Sequence, residues 1–288
     1  GCPIRHSASP AMQNAGIGAL ELNWRYLAFE TRPDDLAAAI EGARAMRFIG
    51  LNLTVPHKLL AVDLMDELDE SARVWGAVNT VRFEGRGADG GWLPLGQWKE
   101  GEILEVRTRG FNTDADAITQ TLREDLQCKL AGASVLLLGA GGAGRAAALK
   151  LAAEGVGRLW LVNRTESKAE QIGAEIREAF PDVAVEIGYP DQDVNLIVNA
   201  TSLGLKTDDP SPLDKTRFPV GRAGAVYDMI YRPAQTRLLQ TAQSADCRTA
   251  NGTGMLLHQG AKALEIWSGK PAPVDAMRVA LESHLHEH

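Results

Sequence analysis

Two serines near the start of the chain stand two residues apart and directly before a proline. Ser7 and Ser9 precede Pro10, and proline is favoured in the first turn of a helix because its φ is already helical and its missing N–H is not needed there. Two hydroxyls beside a helix N-terminus suit a small carboxylate ligand. The alternative is that Ser9 is an ordinary N-cap, with its hydroxyl bonded to the first helical turn.

Further polar side chains stand in three later segments whose neighbours are apolar. Asn52 and Thr54 share one face of a predicted strand, because side chains alternate along a strand, and Lys58 follows shortly after. Asn79 and Asp114 lie in two more short segments. Taken alone, Lys58 is best interpreted as an exposed lysine at a helix start, since sequence spacing does not bring it close to Asp114.

A glycine-rich segment follows the apolar run SVLLL and precedes an alanine-rich helical pattern. It fits the spacing G-x-G-x-x-G and consists of Gly139, Ala140, Gly141, Gly142, Ala143 and Gly144. The first glycine of such a segment allows a tight turn, the second lets the backbone approach a pyrophosphate, and the third allows close helix packing. The helix N-terminus then holds the anion. The segment predicts a dinucleotide site; the alternative is a glycine-rich strand-to-helix turn.

The residues after the next predicted strand distinguish between the two nicotinamide dinucleotides. An NAD site usually carries Asp or Glu at the strand end, which binds the ribose 2′-hydroxyl. This chain reads Asn163, Arg164, Thr165 and, three residues later, Lys168. The carboxylate that would repel a 2′-phosphate is absent there and a guanidinium that could bind one is present, which favours NADP. The alternative is that Arg164 and Lys168 are solvated residues at a helix start.

The elements that must position these residues are short apolar strands alternating with helical patterns. In the first part we predict strands over 23–30, 48–55 and 77–84 and a helix over 34–46. From residue 130 we predict strands over 134–138, 158–162, 183–188, 196–200 and 225–230, and helices over 143–153, 255–267 and 274–284. Such alternation predicts an α/β protein with parallel strands. The glycine-rich segment 85–109 breaks the pattern, and we interpret it as an inserted hairpin or excursion rather than a lid.

The composition of the 288 residues excludes several classes of protein. Thirty basic and 37 acidic residues give a net charge of −7, which argues against a nucleic-acid partner because such surfaces are basic. No apolar run approaches the roughly 18 residues that span a bilayer. Cys2, Cys128 and Cys247 lack the spacing of a disulfide framework or a zinc site. We therefore expect a cytoplasmic globular protein of one large or two medium domains, with no metal and no membrane partner.

Taken together and in this order, the segments resemble the shikimate dehydrogenase family over nearly the whole chain. The resemblance is carried by SASP from Ser7, NLTVPHK from Asn52, GAVNT from Gly76, NTD from Asn112, the glycine-rich segment, NATS from Asn199, YDMIYRP from Tyr227 and NGTGMLLHQ from Asn251. Ala117 and Leu205 stand where the family more commonly has Gly and Met, and these two differences do little to weaken the resemblance.

The resemblance implies a reversible, NADP-dependent reduction of 3-dehydroshikimate to shikimate, with Lys58 and Asp114 as the catalytic pair. It implies substrate contacts at Ser7, Ser9, Thr54, Asn79, Asp114, Tyr231 and Gln259. It implies NADP contacts at Gly139, Gly141, Gly142, Ala143, Gly144, Asn163, Arg164, Thr165, Lys168, Thr201, Gly252 and Met255. In this chemistry a lysine ammonium donates a proton to the developing alkoxide, and a neighbouring carboxylate orients the lysine.

The fold implied is α/β, with two α/β domains and the active site in a cleft between them. Residues 1–113 and 252–288 would form a discontinuous substrate domain, and residues 114–251 a Rossmann-type NADP-binding domain. The partner would be a small molecule, and the chain a monomer or homodimer. Two rivals stay open: a quinate/shikimate dehydrogenase of broader specificity, and a non-catalytic module that senses NADP or shikimate. The serine pair favours shikimate, because quinate carries an additional hydroxyl on the carbon that bears the carboxylate.

Overall fold

The computed structural model describes residues 1–5, 7–99, 101–206 and 208–287. The chain divides into two compact units. The first consists of Gly1–Asp114 and Leu257–His288, and the second of Ala115–Leu256. One boundary falls at the first residue of helix α5 (Asp114–Glu124), and the other follows the first turn of helix α9 (Thr253–Ser268). The first unit therefore combines segments from both ends of the chain.

The first unit contains a mixed sheet and short helices. Its further elements, in chain order, are α1 (Ser9–Ala19), α2 (Leu36–Ala45), β1 (Gly50–Asn52), α3 (His57–Leu60), β2 (Glu67–Leu68), α4 (Glu70–Trp75), β3 (Thr80–Arg86), β4 (Trp92–Pro94), β5 (Glu105–Phe111) and α10 (Val274–Glu287). The strand order is β1-β3-β5-β2, and β4 pairs with β3. Buried side chains of the sheet and α2, among them Ile40, Val81 and Phe83, form its core.

The prediction of parallel strands is wrong for most of this first sheet. Strand β3 pairs antiparallel with β1, β4 and β5, and β2 pairs parallel with β5. The segment 85–109 is the reason for one of these pairings, since it returns the chain from β3 to β5 as a hairpin that carries β4. The predicted hairpin or excursion is thus confirmed, although Glu100 within it lies outside the described residues.

The strand predicted over 23–30 is also wrong. These residues run without strand pairing, because some of their backbone groups are bonded elsewhere: the N–H of Tyr26 donates to Asn14 Oδ1 at 2.9 Å, and the carbonyl of Tyr26 accepts from Asn14 Nδ2 at 2.8 Å. A cavity of about 450 Å³ is lined by this segment, α2 and β1. The predicted helix over 34–46 is confirmed as α2.

The second unit is a parallel sheet with helical crossovers, as predicted. Its elements are β6 (Ser134–Leu138), α6 (Gly142–Ala153), β7 (Arg158–Val162), α7 (Glu166–Ala179), β8 (Ala184–Ile187), β9 (Val194–Asn199), β10 (Ala223–Asp228), α8 (Arg237–Gln243) and β11 (Arg248–Ala250). The strand order is β11-β10-β9-β6-β7-β8, and every neighbouring pair is parallel. The order reverses between β6 and β9, and ligands of such sheets bind beyond the carboxyl ends of the strands at this point.

The apolar run of β6 explains why it occupies the centre of this sheet. Val135, Leu136 and Leu137 have no exposed side-chain surface, which fits a strand covered on both faces. Leu136 and Leu138 pack with Phe218, Val226 and other residues into one apolar cluster. None of the helices in the described ranges combines the length and the hydrophobicity that crossing a lipid bilayer requires.

Candidate active site

Lys58 and Asp114 form an ion pair in the first unit, although 56 positions separate them in the sequence. Lys58 Nζ donates to Asp114 Oδ2 at 2.7 Å. The two side chains are 30% and 13% exposed, so the pair is partly shielded from water and still open to a ligand. Lys58 lies on α3, which follows the end of β1, and its backbone carbonyl accepts a hydrogen bond from Val78 N–H at 2.8 Å.

Asp114 is the first residue of α5, where a carboxylate is favoured by the helix dipole. Its N–H donates to Asn112 Oδ1 at 3.1 Å, and Asn112 Nδ2 donates to the carbonyl of Ala77 at 3.1 Å. Asn112 therefore fixes the chain at the point where β5 ends and α5 begins. The sequence segment NTD contained this residue, but the spacing gave it no role.

His57 precedes Lys58 and is fully buried. Its ring Nε2 lies 2.9 Å from the carbonyl oxygen of Thr31, which can only accept, so Nε2 carries the proton. Burial lowers the pKa of His57, against the hydrogen bond with the Thr31 backbone that raises it. The ring is therefore neutral near pH 7 and bonds to the backbone at Thr31, which fits a structural group rather than a second proton donor.

The serine pair lies at the start of α1. Ser9 N–H donates to Ser7 Oγ at 3.3 Å, and both residues are partly buried. The N-cap of α1 is Ala8, with no side-chain cap, so the alternative that Ser9 is an N-cap is wrong. Burial raises the pKa of the nearby Tyr26 phenol, and this effect outweighs the hydrogen bond with Ser9, which lowers the pKa. The Tyr26 hydroxyl is therefore neutral and donates to Asn52 Oδ1 at 3.0 Å.

Asn79 is buried, with 1% of its surface exposed, and its amide is largely committed to the protein. Its Oδ1 accepts from Thr113 N–H at 2.9 Å, and its Nδ2 donates to Thr113 Oγ1 at 2.9 Å. Thr113 Oγ1 donates in turn to the backbone carbonyl of Gln259 on α9, at 3.1 Å. Thr113 thus connects two of the predicted substrate residues. Thr54 is partly buried, and its carbonyl accepts from His57 N–H at 2.8 Å.

The glycine-rich segment forms the tight turn between β6 and α6 that its spacing predicts. Gly139 has a φ of +106°, which side chains rarely tolerate, and a Cβ on Gly144 would lie 2.1 Å from the carbonyl oxygen of Gly139. By contrast, a Cβ on Gly141 or Gly142 would meet no atom within 4 Å. The turn is closed on its inner side and open on its outer side, where backbone N–H groups at the start of α6 can receive an anion.

The segment after β7 lies beside this turn. Asn163 Oδ1 accepts from Ala140 N–H at 3.1 Å, and Asn163 Nδ2 donates to the carbonyl of Thr165 at 2.8 Å. Arg164 and Lys168 are exposed, and neither forms an ion pair with any residue in the described ranges. Two exposed cations next to a turn whose outer side is open fit a phosphate group.

A buried carboxylate connects two loops of the second unit. Asp228, at the end of β10, accepts from Asn199 Nδ2 at 3.0 Å, from Ile230 N–H at 3.1 Å and from Thr236 Oγ1 at 2.7 Å. Asn199 Oδ1 accepts from the hydroxyl of Thr201 at 2.7 Å. The segments NATS and YDMIYRP contained Asn199 and Asp228, but only burial, which no sequence pattern shows, reveals that they hold the loops after β9 and β10.

The remaining predicted residues lie on these loops and on α9. Tyr231 follows Asp228 closely, and burial raises the pKa of its hydroxyl. A Cβ on Gly252 would lie 2.1 Å from the carbonyl oxygen of Met229, so this position requires a residue without a side chain. Met255 is partly buried in the first turn of α9. In the described ranges, no group of three or more His, Cys, Asp or Glu side chains could hold a metal ion.

Three family models match the chain. Residues 1–81 match the shikimate dehydrogenase substrate binding domain, residues 121–202 match shikimate/quinate 5-dehydrogenase, and residues 252–282 match the shikimate 5′-dehydrogenase C-terminal domain. Shikimate dehydrogenase (NADP(+)) of Methanopyrus kandleri is 39% identical over 292 residues, which cover 99% of this chain and 94% of that protein.

Solved structures share the fold over nearly the full length. A shikimate dehydrogenase in complex with NADP+ is 32% identical with a TM-score of 0.81, covering 98% of this chain and 93% of that one. The ligand-free 5-ketofructose reductase of Gluconobacter sp. strain CHM43 is 33% identical with a TM-score of 0.78, covering 98% and 95%. The chain therefore belongs to the shikimate dehydrogenase family.

Proposed function

We propose that the chain catalyses the reversible reduction of 3-dehydroshikimate to shikimate with NADPH. The observation that carries this proposal is the Lys58–Asp114 pair, a 2.7 Å contact between an ammonium and a carboxylate that are both only partly exposed. A ketone reductase needs one group that can donate a proton to the carbonyl oxygen and a second group that orients the donor. The pair supplies both.

The steps assigned to the protein are proton transfer and orientation. NADPH, when bound, supplies the hydride. Lys58 Nζ donates its proton to the substrate oxygen as that oxygen becomes an alkoxide, and it takes the proton back in the direction of oxidation. Asp114 Oδ2 holds the ammonium at 2.7 Å and thereby orients the proton donor.

Substrate binding is assigned to seven polar residues. Ser7 and Ser9 hold the carboxylate, and Tyr231 assists. The ring hydroxyls bind to Thr54, Asp114 and Gln259. Among the described residues Asn79 Nδ2 donates to Thr113 alone, and we assign its second hydrogen a bond to a ring oxygen.

NADP binding is assigned to the second unit. The open outer side of the glycine turn at Gly141 and Gly142 and the exposed Arg164 and Lys168 fit a pyrophosphate and a 2′-phosphate. Further contacts are assigned to Gly139, Ala143, Gly144, Asn163, Thr165, Thr201, Gly252 and Met255. In this assignment residues 1–113 and 252–288 form the substrate domain and residues 114–251 the NADP-binding domain.

We also propose a setting for this activity. The three cysteines are free thiols, which fits the reducing cytoplasm. The net charge of −7 fits a protein that binds no nucleic acid. We expect a monomer or a homodimer, which sedimentation velocity measures.

One assay tests the function and its rivals. Purified protein is assayed for oxidation of shikimate and of quinate, with NADP+ and with NAD+. It is also assayed for reduction of 5-ketofructose with NADPH, because a 5-ketofructose reductase has a similar structure. We expect kcat/KM to be highest for shikimate with NADP+. A higher value for quinate would favour the dehydrogenase of broader specificity. Binding of NADP+ without turnover of any substrate would favour the sensing module.

A further inference from the structure

A closed ring of hydrogen bonds joins the two members of the Lys58–Asp114 pair through Asn112. Asn112 Oδ1 accepts from Asp114 N–H at 3.1 Å, and its Nδ2 donates to the carbonyl of Ala77 at 3.1 Å. The next residue, Val78, donates its N–H to the carbonyl of Lys58 at 2.8 Å. The ion pair itself, at 2.7 Å, completes the ring. Asn112 is the side chain that connects the backbone of Asp114 to the segment that holds Lys58.

Asn112 is itself held from a second direction. Only 5% of its surface is exposed, and its N–H donates to Ser71 Oγ at 3.1 Å. Ser71 Oγ donates to Asp69 Oδ1 at 2.8 Å, and Asp69 Oδ2 accepts from Arg109 at 3.1 Å. Burial raises the pKa of Asp69, but the hydrogen bonds from Ser71 and Arg109 lower this pKa by more. The pKa of Asp69 is therefore below its usual value. Asp69 therefore stays an anion and fixes Ser71.

The amide of asparagine suits this position because it carries a donor and an acceptor on one rigid group. Alanine would remove both bonds and leave the Asp114 N–H and the Ala77 carbonyl without these partners. Serine could still accept from the N–H two residues later, but its hydroxyl lacks the length to reach the carbonyl of Ala77 as well. Asn112→Ala therefore removes two hydrogen bonds, and Asn112→Ser removes one.

We propose that Asn112 is a positioning residue that sets the distance between Lys58 Nζ and Asp114 Oδ2. This inference rests on the proposed role of Lys58 as acid and base. Asn112 acts through the pair, by fixing the start of α5 relative to the segment whose Val78 N–H donates to the carbonyl of Lys58. Displacement of reacting groups by about 1 Å can cost about 10²-fold in rate, so a small shift of Asp114 is sufficient for a measurable effect.

Steady-state kinetics of the full chain give the first test. We expect kcat with shikimate to fall by about 10- to 100-fold in Asn112→Ala and by less in Asn112→Ser, with KM for NADP+ unchanged. Thr108→Val is the matched control: Thr108 is fully buried on β5 in the same unit, and its Oγ1 bonds to Asp66. A wild-type kcat in Asn112→Ala overturns the proposal, as does an equal loss of kcat in Thr108→Val at an equal loss of Tm.

A second test does not depend on turnover. In protein labelled with ¹⁵N-lysine, the Lys58 ammonium signal is identified by its loss in Lys58→Arg. We expect this signal to shift in Asn112→Ala and to stay in place in Thr108→Val. An unmoved signal in Asn112→Ala overturns the proposal. If the signal shifts as expected but the wild-type chain does not oxidise shikimate, then the proposed function fails and the positioning role stands.

Discussion

The ammonium of Lys58 is the proton donor in the proposed reaction, so its loss should affect turnover and not cofactor affinity. In Lys58→Ala we expect kcat to fall by about 10²–10⁴-fold, with the Kd for NADPH unchanged because the glycine turn belongs to the other unit. Initial rates and fluorescence titration measure the two quantities. Lys262→Ala is the control, since Lys262 also pairs with a carboxylate in the first unit, Glu265. A wild-type rate in Lys58→Ala would refute the acid–base role.

Arg164 is expected to discriminate between the two dinucleotides, because only NADPH carries the 2′-phosphate. A hydrogen bond between charged groups contributes about 1.5–3 kcal/mol, so Arg164→Ala should raise KM for NADPH by roughly 10- to 100-fold and leave KM for NADH nearly unchanged. Arg158→Ala is the control. Arg158 is also exposed, but it is the first residue of β7, whereas Arg164 follows the last residue of that strand. Equal weakening of both dinucleotides by Arg164→Ala would show that the guanidinium does not bind the phosphate.

Asp228 gives a prediction about stability and pH. Burial raises the pKa of this carboxyl above its usual value of 3.8, against the hydrogen bonds from Thr236, Ile230 and Asn199. The folded chain therefore binds the proton more tightly than the unfolded chain. The contribution of Asp228 to stability is complete below about pH 3.8 and is lost as the pH rises through the pKa of the folded state.

Asp228→Asn should abolish this fall in stability with rising pH, because an amide does not ionise. The Thr236 hydroxyl can rotate to accept a hydrogen bond from the new amide. We expect the free energy of unfolding of the variant, relative to the wild type, to increase between pH 4 and pH 7. Urea unfolding at both pH values measures it. Asp228→Ala serves for comparison: it leaves Asn199 Nδ2 and the Ile230 N–H without this acceptor, at about 1–3 kcal/mol each. A pH-independent difference between Asp228→Asn and the wild type would contradict the prediction.

Single residues differ in how far the sequence can place them. Lys58 and Asp114 could be paired only through the family resemblance, because they lie 56 positions apart in the sequence. The interpretation of Ser9 as an N-cap is wrong, since α1 begins one residue earlier than that interpretation requires. Asp228 had no predicted role, because its burial arises from the packing of β10 between β9 and β11 and leaves no local pattern.

At the scale of elements, the turn between β6 and α6 allows stability and binding to be separated. A Cβ at Gly144 would lie 2.1 Å from a backbone oxygen, whereas a Cβ at Gly141 would meet no protein atom within 4 Å. Gly144→Ala should therefore lower the free energy of unfolding by about 1–3 kcal/mol. Gly141→Ala should leave Tm unchanged and weaken NADP+ binding, because its methyl group projects toward the phosphate. Thermal unfolding and calorimetric titration check both variants, and the reverse pattern would contradict the assignment.

The parallel direction of the strands was predicted correctly for the second sheet and wrongly for most of the first, for a physical reason. Strands β6, β7 and β9 are five or six residues long and mostly apolar, a pattern typical of parallel strands covered on both faces. Strands β1 and β2 are only three and two residues long, too short for any periodicity to indicate direction. Their pairing depends on β3 and β5, which the hairpin brings together.

At the scale of the whole molecule, the second unit has its own sheet and core. We expect a fragment of residues 115–256 to fold by itself and to bind NADP+ without oxidising shikimate. Circular dichroism and calorimetry check this. A fragment of residues 1–114 is the comparison and should stay unfolded, because Leu264, Met277 and Leu281, all fully buried, would be missing from it. A folded 1–114 fragment, or an unfolded 115–256 fragment, would contradict this division.

The origin of the first unit from both ends of the chain has a consequence during synthesis. Chains grow at about 5–20 residues per second, so the 142 residues from Ala115 to Leu256 separate the two parts of this unit by roughly 7 to 28 s. Domains generally fold in order from the N-terminus, but here the second unit is complete first. We therefore expect apolar side chains such as Met12 and Ile17, which are buried in the folded chain, to stay uncovered during this interval, when a chaperone that binds nascent chains can reach them.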